Sequence, residues 1–187
     1  MHRRRRSDCG RGGVGRLTYA VRATRAADAR WLPAIEQSAG QLFLGVPGLE
    51  WIADDHNMAA STHAELAIAG TSWVAVDGDD APVGFIACEE RGDVLHICEF
   101  AVDEALHGQG IGRALLDGAV AFARSRDLAA VTLTTFRDVS WNQGFYARRG
   151  FATVAPIGDE PLAIILRGEA QHGLPPERRC AMRLSLN

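Results

Sequence analysis

The chain has 187 residues, 47% of them hydrophobic and 23% charged, with a formal net charge of −3. That length suits one domain with a real core, and no apolar run approaches the roughly 18 residues of a membrane span. All 20 basic residues are arginine, which excludes a P-loop lysine, a Schiff-base lysine and a pyridoxal-phosphate attachment site.

Residues 1–16 hold six arginines against Asp8, whereas the remainder carries 14 arginines against 22 acids. The tail is rich in Gly and Arg and has no apolar h-region, so it reads as a disordered extension and not as a secretory signal. The acidic body, taken as one domain over 17–187, argues against a nucleic-acid surface and suits a cationic small molecule. From Leu17 to Arg22 the pattern alternates as a strand. Thr24 or Asp28 can cap a helix to about Gln41, with Pro33 as a kink or a late start. Phe43–Asn57 reads as a loop with broken helix, and Ser61–Ala69 as a short helix ended by Gly70. Ser72–Val76 and Pro82–Glu90 form a hairpin around Gly78-Asp79-Asp80, and Val94–Val102 is a third strand. Arg113–Arg126 carries apolar residues at helical spacing. Ala130–Phe136 is a strand. Ser140 and Gln143 form a capping box for a short helix stopping at Gly150. Phe151–Val154 is a strand, Glu160–His172 a helix, and Arg179–Leu186 the last strand. This order predicts an α/β fold with a single mixed, mostly antiparallel central sheet and flanking helices.

Cys9, Cys88, Cys98 and Cys180 form no CxxC pair. That argues against a structural zinc site and for reduced thiols of a cytosolic protein, so no metal is expected and a cytoplasmic location is.

His107-Gly108-Gln109-Gly110-Ile111-Gly112 lies between a strand and a helix. Glycines at such a junction let backbone N–H groups turn inward, and the helix N-terminus adds partial positive charge, which makes a pyrophosphate cradle. It is not a dinucleotide fingerprint, because Arg113 stands where the third glycine belongs.

The stretch resembles motif A of the GNAT N-acetyltransferase superfamily, with His107, Gly110 and Gly112 in the motif's places and His107 where Arg or Gln is usual. Phe100-Ala101-Val102 matches the preceding strand end. Asn142 to Phe151, with Tyr146, Gly150 and Phe151, resembles motif B. The resemblance implies a sheet with splayed strands that binds acetyl-CoA as co-substrate and passes its acetyl group directly to an amine. It further implies that Phe100, Ala101 and Val102 meet the pantetheine arm, with the Phe100 N–H polarising the thioester carbonyl. Gly108, Gln109, Gly110, Ile111, Gly112 and Arg113 would then hold the pyrophosphate, with Asn142 as a further pantetheine ligand and Tyr146 as the acid that protonates the departing thiolate. Dimerisation is common in that family, though no residue here specifies a homodimer.

Direct transfer needs a neutral amine, so a base must take its proton. His96, eleven residues before His107, has a suitable imidazole; Glu99 is the rival, and water remains a third route. Simple alternation puts Glu99 on the opposite face from His96 unless a bulge intervenes. On the acceptor side, Trp51, Asp54 and Asp55 combine an aromatic with acids, which suits an amine cation. Leu162, Ile165 and Leu166 would form an apolar stripe on a lid helix or a dimer contact. The expected function is an acetyl-CoA-dependent N-acetyltransferase for a small-molecule primary amine, with no nucleic-acid or membrane partner. The alternatives are a protein or peptide N-acetyltransferase and a non-catalytic acyl-CoA sensor.

Overall fold

The computed structural model describes residues 19–186; the expected tail, and the first residues of the expected first strand, lie outside them. Seven strands form one open sheet in the order β1-β2-β3-β4-β5-β7-β6. They are β1 (Ala20–Ala23), β2 (Ser72–Val76), β3 (Pro82–Arg91), β4 (Val94–Val102), β5 (Ala130–Phe136), β6 (Ala152–Val154) and β7 (Arg179–Ser185). Every neighbouring pair is antiparallel except β4 with β5. The helices are α1 (Leu32–Gly40), α2 (Ala60–Ala69), α3 (Ile111–Ser125), α4 (Gln143–Ala147) and α5 (Pro161–Gln171).

Each face of the sheet buries its own core. Leu115, Leu116, Ala119 and Ala123 of α3 pack with Ile86, Leu95, Val131 and Met182. The apolar residues of α3 recur every three or four positions, so one stripe of the helix meets the sheet. Truncating fully buried Leu115 or Leu116 to Ala would cost about 2–5 kcal/mol. On the other face, Leu32 and Ile35 of α1 and Leu66 of α2 pack on Val74, Phe85 and Ala101.

Local chemistry differs from expectation at two helix starts. Pro33 occupies the first turn of α1, where its missing N–H costs nothing, so the helix begins late and is not kinked. Asp28 does not cap it: its carboxylate accepts from Arg22 at 2.6 Å and from the Arg25 N–H at 2.7 Å. The capping box of α4 does not form. The helix starts at Gln143, which leaves exposed Ser140 three residues outside it, and Gln143 Nε2 donates to Thr153 Oγ1 at 2.8 Å instead.

Candidate active site

β4 and β5 pair only over Val94–Ala130, Leu95–Val131 and His96–Thr132. Beyond those rungs β4 stays on β3 to Val102 while β5 stays on β7 to Phe136. The two strands therefore diverge and leave a wedge in the sheet. A cleft of about 630 Å³ fills it, lined by Ile97–Val102 on one side and Leu133–Phe136 on the other.

The glycine loop closes one end of the wedge. Gly110 sits at φ +87°, a conformation open to glycine and strained for other residues, and it turns the chain into α3. Gly112 is favoured by proximity: a Cβ there would lie 3.3 Å from the Phe100 ring, which would have to shift by a few tenths of an ångström. The first-turn N–H groups of α3 have no intrahelical acceptor, and they lie beside the cleft lining formed by Gly108, Gly110, Ile111, Gly112 and Arg113. This geometry fits a diphosphate. The His107 imidazole pairs with the Val102 carbonyl at 3.0 Å and ties the loop to the strand end. Gln109 lies at the rim, where its Oε1 accepts from the Tyr19 hydroxyl at 3.1 Å, and it does not line the cleft.

A bulge sets the other end. Ala87 pairs with Glu99 and Cys88 with Ile97, which leaves Cys98 as the extra residue of β4. The period of two is broken there, so Glu99 lies on the same face as His96; simple alternation is overturned at this point. Glu99 thereby joins Glu36 of α1 and Asp55 in the cleft lining. Glu36 Oε2 accepts the Met58 N–H at 3.0 Å, and Glu99 Oε1 accepts the Phe100 N–H at 2.8 Å. Burial, then the charges of Glu99 and Asp55, push the Glu36 carboxyl up to about 8. Burial also raises Glu99, against the opposing pull of the Phe100 N–H and Arg179.

His96 lies at the vertex and not in the cleft. It is buried, its Nδ1 is 3.1 Å from Thr132 Oγ1, and burial lowers it to about 4. Its ring links the last paired rung of β4 and β5, which removes it from reach of a substrate in the wedge. Tyr146 is buried among Phe100, Phe145 and Phe151 and lines the cleft, with its phenol pushed up by burial and then by Glu99. Asn142 also lines it. Cys98 is no ready nucleophile, because burial raises its thiol to about 12.

Trp51 and Asp54 do not reach the cleft. The short turn Glu50–Asp54 buries Ala53, after fully buried Leu49, and leaves Trp51 40% exposed. Asp55 does line it, joined by His56, Asn57, Phe43 and Trp141. Sequence reasoning missed Glu36, Thr134, Glu169, Arg179 and Arg149. Arg179 makes a two-pronged pair with Glu169 at 2.8 and 2.9 Å, donates to Thr134 Oγ1 and stacks 4.5 Å from the Phe136 ring centroid. Glu169 brings α5 onto the wedge, and Ala163 is the buried residue of that helix, with Leu162, Ile165 and Leu166 only partly covered.

Comparison with known proteins agrees with this geometry. The Acetyltransferase (GNAT) family matches residues 41–151. An uncharacterized N-acetyltransferase of Methanocaldococcus jannaschii is 36% identical over 77 residues, a match spanning 37% of this chain and only 34% of that protein. The fold superposes on the PaiA N-acetyltransferase of Thermoplasma acidophilum, solved in complex with coenzyme A, with a TM-score of 0.68 and 14% identity over 90% of this chain and 99% of that one. Rv2747 from Mycobacterium tuberculosis, solved with CoA and a further ligand, gives a TM-score of 0.64 and 27% identity over 90% of this chain and 99% of that one. The ribosomal-protein-S18-alanine N-acetyltransferase of Escherichia coli gives 0.63 and 17% over 91% and 95%. With the splayed strands, the glycine loop and the paired motifs in place, the chain belongs to the acetyltransferase (GNAT) family.

Proposed function

We propose that this protein is an acetyl-CoA-dependent N-acetyltransferase whose acceptor is a small amine that arrives as a cation. One observation carries the reading: the same cleft is lined by the glycine loop with the start of α3 and by the carboxyl groups of Glu36, Asp55 and Glu99. Acetyl-CoA would supply the acetyl group as a thioester. The backbone of Phe100, Ala101 and Val102, on the stretch of β4 that β5 leaves, would hold the pantetheine arm in exchange for the Glu99 and His107 contacts made there, and N–H groups from Gly108 to Arg113 would hold the diphosphate.

Glu99 is the best base. It lines the wedge, and its raised pKa brings a carboxylate toward the range where it can take a proton from an ammonium. Asp55 and the negative charge shared by the Glu36–Glu99 pair would draw the cation in and keep it beside Glu99. Tyr146 would hold the proton that a departing thiolate needs. A phenol is protonated at neutral pH even at its ordinary value, and burial raises Tyr146 further, so its donation would depend on the negative charge that develops on the departing sulfur beside it. The α5 helix and its continuation, through Glu169 and Leu174, wall the acceptor end, which suits a compact amine better than an extended peptide.

The test is acetyl-CoA titration by calorimetry, followed by a panel of mono- and diamines with release of free thiol as readout. Turnover on amines, with none on hydroxyl analogues, supports the reading. Binding of acetyl-CoA without turnover on any amine or peptide would leave an acyl-CoA sensor and overturn it.

A further inference from the structure

Arg149 is a cation without an anion. It follows α4 and lines the cleft beside Gly112, Arg113 and Phe145. Its Nη1 donates to the Phe145 carbonyl at 2.8 Å, and its guanidinium carbon lies 3.7 Å from the Phe145 ring centroid. Phe145 in turn abuts the glycine loop: a Cβ on Gly112 would be 3.7 Å from its ring. One aromatic ring therefore separates the guanidinium from the phosphate cradle.

Nothing among the described residues neutralises this group. Its Nε is buried with no hydrogen-bond partner. The charges that act on it are Arg113 and Arg148, opposed by Asp117, and Asp117 is itself 3.4 Å from Arg113 Nε. Burial, reinforced by the two arginines, holds Arg149 below the ordinary arginine value. A buried donor without an acceptor is unfavourable, and gathering like charges adds to the cost. A multiply charged anion in the cleft that both arginines line would offset both costs. Guanidinium forks match phosphoryl oxygens in spacing and plane.

We propose that Arg149, together with Arg113, is a phosphoryl clamp for the nucleotide end of coenzyme A, separate from the backbone cradle of the glycine loop. With the diphosphate assigned to the loop N–H groups by the reading above, the phosphoryl group left for the clamp would be the ribose 3′-phosphate. The inference rests on the coenzyme reading above.

The experiment is calorimetry on the full chain with three probes: acetyl-CoA, 3′-dephospho-acetyl-CoA and acetyl-pantetheine. Arg149→Met keeps an apolar stem on Phe145 and removes the charge; Arg149→Lys keeps a charge without the fork. The expected result is a roughly tenfold or greater loss of acetyl-CoA affinity in Arg149→Met, partial retention in Arg149→Lys, and no change for acetyl-pantetheine. A smaller loss for 3′-dephospho-acetyl-CoA assigns the clamp to the 3′-phosphate. An equal loss for both nucleotides assigns it to the diphosphate. Unchanged acetyl-CoA affinity in Arg149→Met overturns the clamp. So does a loss that extends equally to acetyl-pantetheine, because the residue would then act only by supporting the fold. A wild-type chain that binds none of the three overturns the coenzyme reading itself, and the clamp with it.

Discussion

The Glu99 carboxylate accepts the backbone N–H of its own neighbour, Phe100, at 2.8 Å. That N–H is the donor expected to polarise a thioester carbonyl. Under the roles proposed above, the base and the electrophilic donor would occupy each other here, and freeing the Phe100 N–H for a thioester would require Glu99 to release it.

Glu99→Ala should separate the two roles. It frees the Phe100 N–H, so acetyl-CoA affinity should hold or improve by a few-fold, while kcat falls by about 10²–10⁴ from loss of the base. Calorimetry and steady-state kinetics on the same preparation read both. Weakened coenzyme binding with kcat intact would contradict this account.

Glu36 should tune Glu99. Burial raises both carboxyls and the Glu99 charge adds to the rise at Glu36, so this coupled pair holds on to a proton near neutral pH. Glu36→Gln removes the partner with which Glu99 shares that proton, so Glu99 would ionise in a single step instead of completing its ionisation only as the pair loses its last proton. The acid limb of the pH–rate profile should then shift to lower pH, and KM for a cationic amine should rise. A limb that stays in place would show that Glu99 does not control it.

Tyr146→Phe removes one hydroxyl from a ring held by three aromatic neighbours. Fold and acetyl-CoA binding should persist while kcat drops about 10–100-fold, with the larger effect on the thiol-release step. Unaltered kcat would remove Tyr146 from the chemistry.

Two buried histidines should make the fold acid-sensitive. His63 packs edge-on to Phe85 with both ring nitrogens unpartnered, and burial lowers it to about 4, as it does His96. Both are neutral when folded and free to protonate near 6.5 once unfolded. Their stabilising effect is therefore full above pH 6.5 and is lost as the pH falls from 6.5 toward 4, by up to roughly 3 kcal/mol per ring. His63→Leu should flatten part of that fall. Chemical denaturation at pH 7.5 and 5 should show the variant gaining on the wild type at the lower pH.

The sequence revealed what local chemistry dictates. Runs rich in Val, Leu, Ile and Thr between turn residues mark Ser72–Val76, Val94–Val102 and Ala130–Phe136 with the bounds observed, because central strands carry their burial in their residue types. Gly108, Gly110 and Gly112 mark the loop, because positive φ at the first two and close approach at the third disfavour other side chains. The acceptor end was not legible in the same way. Glu36 sits in an ordinary helical stretch after Ile35, and nothing local tells that β4 bulges at Cys98 to turn Glu99 toward it. Trp51 and Asp54 looked right by type, yet the turn that carries them buries Leu49 and Ala53 instead. His96 had the right chemistry and spacing, but the point where β4 leaves β5 decides whether it sees solvent, and that is a pairing between residues far apart in sequence.

Three rungs join β4 to β5. On one side of this seam lie the four strands up to β4, and on the other the three from β5 onward. Backbone amides along the open edges, from Ile97 to Val102 and from Leu133 to Phe136, lack the cross-strand cover that their neighbours at the vertex enjoy. A ligand threaded between them would act as the strand the chain does not supply. Coenzyme would then be as much a structural member as a reactant, and its departure after each turnover would unlace the middle of the sheet.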